Sequence, residues 1–228
     1  MSALAALARA YDRMAERNEV PTFGYSTQNI GFLISLNADG SIAGTPADLR
    51  SGEGKKRLAR PLAVPQPVKR TSGIAPNFLW DKTAYVLGVT GGEGKRTAAE
   101  HEAFIKLHRD MLTGTGDEGL LALLRFLESW RPKRFADLSW PDDMKDQNVV
   151  FALERERLHN IYIHDRPAAR EIWAKLSAES AKNAEAVCLV SGKKAPVARL
   201  HPAIKGVWGA QSSGDCILQS RRFYLLWP

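Results

Sequence analysis

Apolar residues recur at helical spacing at the start of the chain. Leu4, Leu7, Ala8, Tyr11, Met14 and Ala15 fall on one side of a helix from Ala3 to about Arg17. Ser2 can cap it, and Asn18 and Pro21 end it. Ile30 to Leu36 is a short apolar run and predicts a strand. Asn37-Ala38-Asp39-Gly40 then predicts a turn, and Ser41-Ile42-Ala43 its hairpin partner. Thr45 to Gly54 reads as loop. Leu58 to Val64 predicts another strand, flanked by cations, and Tyr85-Val86-Leu87 a buried one. The pattern then turns helical. Phe104, Ile105, Leu107 and Met111 line a helix from Ala98 to Leu112, which Thr113 to Gly116 break. Leu120, Leu121, Leu123, Leu124 and Leu127 line a second from Asp117 to Trp130, stopped by Arg131-Pro132. Two helices joined by a short glycine turn make an αα-hairpin. Asn148 to Leu153 predicts a strand and Pro167 to Ser177 a helix. Ala186 to Val190 and Ala195 to Leu200 predict paired strands around the turn Ser191 to Lys194. The sum is an α+β chain, with mixed or antiparallel strands and several packed helices.

Composition adds a partner class to this picture. The 228 residues suffice for one large or two small domains, and 44% hydrophobic with 25% charged residues is the balance of a globular protein. The net charge is +7, and it is unevenly spread. From Arg50 to Glu100 ten cations face four acids, which places +6 of the surplus in under a quarter of the chain. A localised basic block favours a polyanionic partner, although a solvated face has the same composition. No apolar run approaches the ~20 residues needed to span a bilayer, and no secretory leader appears. The reading is a cytoplasmic protein with no transmembrane segment and no membrane partner. The two cysteines, Cys188 and Cys216, give no disulfide framework, which fits a reducing compartment.

The candidate chemistry centres on Pro65 to Val89. Two prolines hold the backbone extended; Lys69, Arg70, Thr71, Ser72 and Gly73 follow; Asn77 precedes the apolar anchor Phe78-Leu79-Trp80. Cations, small hydroxyls and a glycine let a polyanion approach the main chain, so these residues are candidate DNA contacts. An ordinary connecting loop accounts for the stretch equally well. Lys55, Lys56, Arg57 and Arg60 are candidate sequence-independent phosphate contacts. A second loop, His201 to Gly214, offers Lys205, Gln211, Ser212 and Ser213. Catalytic patterns fail where tested. Thr90 to Thr97 resembles a phosphate-binding loop, but Val89 stands where the first glycine is needed and Arg96 where a hydroxyl is needed, so a mobile loop is the better reading. His101, His108, His159, His164 and His201 form no metal motif and read as solvated or capping. Asp142, Asp143 and Asp146 read as a helix N-terminus ahead of a metal-dependent nuclease site. Cys188 lies in an apolar strand and reads as packing. No catalytic residue, metal or cofactor is assigned.

Two long runs carry a resemblance. KRTSGIAPNFLWDKTAYVLG (Lys69 to Gly88) and CLVSGKKAPVARLHPAIKGVWGAQSSG (Cys188 to Gly214) resemble the large subunit of the type I-C CRISPR–Cas surveillance complex, Cascade, the Csd-type family. The opening helix, Phe23-Gly24-Tyr25 and Ile30 to Leu36 resemble the family's start. The resemblance implies a non-catalytic subunit beside the guide RNA and the other Cascade subunits. It would read the protospacer-adjacent motif on double-stranded target DNA and help open the duplex in antiviral defence. It spans residues 1–214, an expected N-terminal domain. Asp215 to Pro228 departs from the family's continuation and reads as an aberrant, truncated or frameshifted tail. Two other classes stay open: a metal-dependent nuclease using the Asp142 to Asp146 cluster, and a purely structural subunit without DNA contact.

Overall fold

The computed structural model describes residues 3–17, 19–22, 24–52, 57–70, 73–179, 185–187 and 194–196. The chain divides into two compact units, Met1–Ser177 and Ala178–Pro228. In the first, the elements are α1 (Ala3–Glu16), β1 (Tyr25–Ile30), β2 (Phe32–Leu36), β3 (Ala47–Asp48), β4 (Arg60–Pro65), β5 (Asp81–Lys82), α2 (Thr83–Val86), α3 (Thr97–Leu112), α4 (Glu118–Ser129), α5 (Arg134–Asp137), β6 (Asn148–Leu153), α6 (Glu154–Arg157) and α7 (Pro167–Glu179), the last running into the second unit. Within the second, β7 (Glu185–Val187) pairs antiparallel with β8 (Lys194–Pro196); the rest of that expected hairpin lies outside the described residues. The fold is α+β, as the apolar pattern predicts. No helix among the described residues is long and apolar enough to cross a membrane.

A mixed sheet of order β3-β2-β6-β5 forms the centre. β2 and β6 are parallel in the register Phe32↔Val149 to Leu36↔Leu153, while β3 and β5 flank them antiparallel. Alternate side chains leave opposite faces of a strand. Phe32, Ile34, Leu36, Val149, Phe151 and Leu153 therefore enter the main core, with Phe104, Leu123, Phe126 and Trp130. Leu33, Val150 and Ala152 enter a second cluster with Ile30, Val64, Trp80 and Tyr162. The antiparallel ribbon β1–β4 supplies Ile30 and Val64 to that second face. A pair of strands buried on both faces explains their continuous apolar runs.

Three expectations need correction. The single strand Ile30 to Leu36 is broken at Gly31, where the chain leaves the ribbon and joins the sheet. A Cβ there would sit 2.9 Å from Gln147 Cβ, so only glycine fits. Tyr85-Val86-Leu87 is not a strand: Thr83–Val86 is a single helical turn, closed by the Leu87 amide donating to Thr83 O at 2.9 Å. All four residues of that turn are buried, and so short an apolar run carries no period that separates strand from helix. Ser41 to Ala43 returns beside β2 through Asn37 N to Ser41 O (2.8 Å) and Ala43 N to Ser35 O (2.9 Å), but with only one bridge, Leu36↔Ile42. The further partner of β2 is β3, inside the expected loop.

Candidate nucleic-acid interface

The central stretch is fixed from below by its apolar anchor. Phe78, Leu79 and Trp80 are buried, and the Trp80 indole N–H donates to Pro65 O at 2.9 Å. Leu79 has a left-handed backbone, φ 66°, which costs a non-glycine residue on the order of 1 kcal/mol or more. His108 compensates. Its Nε2 accepts the Leu79 N–H at 2.8 Å, its Nδ1 therefore carries the proton and donates to Phe104 O at 2.8 Å, and its ring stacks on Phe78. Burial pushes the His108 pKa down to about 4, so the ring is the neutral acceptor this arrangement requires. His101 is likewise buried, bonded through Nδ1 to Tyr85 O, and His164 is buried against the Tyr162 ring. The expectation of solvated or capping histidines is corrected for these three.

Above this anchor the loop is stapled by Asn77 and Asp81. The Asn77 side-chain oxygen accepts the Val68 amide at 3.0 Å, and the Asn77 backbone N–H donates to Asp81 Oδ2 at 2.8 Å. Asp81 also accepts from Arg70 and, through Oδ1, from the Lys82 amide at 2.8 Å. Burial pushes the Asp81 carboxyl up from its ordinary value, and Arg70 with the backbone donors opposes the shift. Arg70 is held three ways: by Asp81, by Nε donation to Ala75 O at 2.6 Å, and by the Tyr85 ring 4.1 Å beneath its guanidinium. A guanidinium so braced presents its outer edge with little conformational entropy left to lose.

That edge lies in a cleft of about 400 Å³. Arg70, Gly73, Lys82 and Tyr85 form one wall. Thr90, Arg96, Glu100 and Asp146 form the other. The glycine loop after Val89 is thus brought against the central stretch. It is tied at its root, where Asp146 accepts from Thr90 Oγ1 at 2.6 Å and from the Gly91 amide at 3.1 Å; Gly91 to Arg96 are exposed. Asp146 is itself set by its amide donating to Thr83 Oγ1 at 2.7 Å. Arg96 stands at the start of α3, where the helix dipole favours anions, so a cation there is poorly placed for helix stability and well placed for an anionic ligand.

A family model described as CRISPR-associated protein (Cas_Csd1) matches residues 7–219. The chain belongs to this CRISPR-associated family. No curated protein matches it. Both walls of the cleft fall inside the matched span of this Csd1 chain.

Of the sequence-predicted contacts, Arg70 and Gly73 line the cleft and Asn77 lies buried beneath it. Lys69 is exposed and does not line it. Arg57 and Arg60 do not line it. Arg57 pairs with Asp48, which also holds Arg50 at 2.8 Å, and Arg60 is exposed on the ribbon. Lys55, Lys56, Thr71, Ser72, Lys205, Gln211, Ser212 and Ser213 lie outside the described residues, as do Cys188 and the tail Asp215 to Pro228. Asp142, Asp143 and Asp146 turn to three separate partners: Lys145 at 2.6 Å, Arg50 at 2.6 Å, and the glycine loop. Among the described residues no group of three acidic, histidine or cysteine side chains is placed to hold a metal ion. Sequence reasoning missed Lys82, read Thr90 and Arg96 as a mobile loop, and weighed Asp146 only as a helix N-terminus or nuclease residue. The legible signal was a hydroxyl and two glycines after a buried run, with cations at a helix start.

Proposed function

We propose that this Csd1-family chain is a non-catalytic nucleic-acid-binding subunit of a type I-C Cascade, assembled with guide RNA and the other subunits, that reads the protospacer-adjacent motif on duplex DNA and helps open it. The observation that carries the reading is the convergence of two loops on one cleft, where the Arg70 guanidinium, immobilised by Asp81, Ala75 O and Tyr85, stands with Lys82 and Arg96 among lining residues that include Glu100 and Asp146. Fixed arginines suit bidentate recognition of base edges or phosphate, and exposed cations on loops suit backbone contact. Lys69, Arg70, Thr71, Ser72, Gly73 and Asn77 form the reading loop, with Asn77 acting chiefly by holding its shape. Lys55, Lys56 and Arg60 are sequence-independent phosphate contacts, Arg57 being committed to Asp48, and Lys205, Gln211, Ser212 and Ser213 supply a second set of contacts. Base pairing with the guide reads the remaining sequence.

The test is a competition between motif-bearing and motif-scrambled duplexes, using Cascade reconstituted with this chain or its variants. Asn77→Ala is expected to weaken binding to the matched duplex preferentially, by about 1 kcal/mol, because the loop loses the hydrogen bond from the Val68 amide that holds its shape. Lys69→Ala is expected to weaken both duplexes alike, as a phosphate contact does. If Asn77→Ala and Ser72→Ala both leave the matched-to-scrambled ratio unchanged, this loop is scaffold and the reading fails.

A further inference from the structure

The turn that ends α4 carries three cations in four residues, Arg131-Pro132-Lys133-Arg134, and all four residues are exposed. It is not an isolated surface run, because it is locked to the root of the glycine loop. Trp130, buried just before it, donates its indole N–H to Leu87 O at 2.9 Å. A Cβ at Gly88 would lie 2.8 Å from Pro132 Cγ, so the turn and the residue two before Thr90 are in direct packing contact. From the other side Lys145, next to Asp146, places its Nζ 5.6 Å from the ring of Phe135 in α5. The basic turn therefore sits beside the wall of the cleft that Thr90 and Asp146 supply.

The charges on this turn form no ion pair among the described residues. Arg131 donates to two carbonyls, Glu128 O at 2.9 Å and Trp130 O at 2.7 Å. Neither it nor Lys133 nor Arg134 pairs with a carboxylate among the described residues. By contrast Arg50, Arg57, Arg155 and Arg166 are each tied to one. Arg134 lies 5.8 Å over the Trp130 ring, which leaves its charge outward. Glu128 lies 3.9 Å from Arg109 and lines a surface pocket with Asp39, Arg125 and Arg134, so Arg134 has acids nearby without an ion pair, while Arg131 and Lys133 do not line that pocket.

We infer that Arg131, Lys133 and Arg134 form a second phosphodiester-backbone contact, continuing the track of a nucleic acid held in the cleft. This rests on the nucleic-acid reading of the cleft. Duplex DNA carries about one negative charge per 1.7 Å of axis, so a strand leaving the cleft past Thr90 presents further phosphates to a cationic turn packed against that wall. The contact takes charge and no base identity, so it adds affinity on any sequence.

The full chain is titrated with labelled duplex DNA and, separately, single-stranded RNA across a range of salt concentrations. For Lys133→Ala/Arg134→Ala the slope of log K against log salt is expected to become shallower. The change is about 0.9 per lost contact on the duplex, or about 0.7 on the single strand, and the substrate showing it identifies which backbone is held. Lys133→Arg/Arg134→Lys, which keeps the charge, is expected to keep the slope. An unchanged slope in the alanine variant, while Lys82→Ala/Arg96→Ala makes it shallower, overturns this inference and leaves the cleft reading standing. Unchanged slopes in both variants overturn both. Unchanged slopes with loss of retention on immobilised polyglutamate assign the turn to an acidic protein surface and overturn the inference.

Discussion

His108 shows how much one buried side chain settles. It has no exposure, and it accepts the amide of Leu79, a residue whose backbone is left-handed. His108 and His164 both have pKa values pushed down to about 4 by burial, from an ordinary value near 6.5. The folded chain holds both rings neutral, and the unfolded chain leaves them free to protonate. Their contribution to stability is therefore complete above about pH 6.5 and is lost as pH falls towards about 4, by up to roughly 3 kcal/mol per ring. Urea midpoints measured from pH 7 to pH 4.5 should fall steadily. His108→Phe should keep the stack on Phe78, lose the Leu79 acceptor, and flatten part of that slope. A midpoint independent of pH over this range contradicts the account. At this same scale the sequence was only half legible. Lys69 and Arg70 announce a cationic loop, but nothing in the spacing announces that Asp81, eleven residues on, is buried beneath Arg70. That pairing depends on Arg70 also reaching Ala75 O and on the Tyr85 ring, both contacts of the tertiary fold.

Among the elements, legibility follows the strength of local pattern. The helices α3 and α4 fall within a residue of the spans their apolar spacing gives, with Asp117 capping α4 by accepting the Leu120 amide at 3.0 Å. β6 matches the run Asn148 to Leu153 at both ends. α2 was misread because a four-residue buried run has no period to detect. Strand order was illegible for another reason: β2 and β6 are parallel partners more than a hundred residues apart, joined by everything between them. The glycine loop also shows the limit of composition. Its glycines suggest mobility, yet Asp146, far along the chain, fastens its first two residues. Asp146→Ala should speed amide hydrogen exchange at Gly91 and Gly92 markedly. Global stability should fall by about 1–2 kcal/mol, since the bonds lost are at the surface and alanine is strained at the left-handed φ of 64° that Asp146 adopts. Unaltered exchange at those amides would show that the loop is held by something else.

Across the whole molecule, the basic surplus predicted from Arg50 to Glu100 divides on folding. Arg50 and Arg57 are consumed by Asp48 and Asp143, which fixes β3 and the following segment in place. Arg70, Lys82 and Arg96 are gathered at one cleft from three separate elements. Glu100 and Asp146 line the same cleft, and Arg70 is paired with Asp81, so Lys82 and Arg96 are its cations without an ion pair among the described residues. The central claim is that target DNA lies in this cleft next to its motif. The most direct measurement places a photo-crosslinking amino acid at Arg96, an exposed wall position, in reconstituted Cascade bound to labelled motif-bearing duplex. The account predicts crosslinks to nucleotides in or beside the motif, competed away by unlabelled matched duplex far better than by scrambled duplex. Full duplex binding with crosslinks only to neighbouring subunits, or with none to DNA, would contradict it.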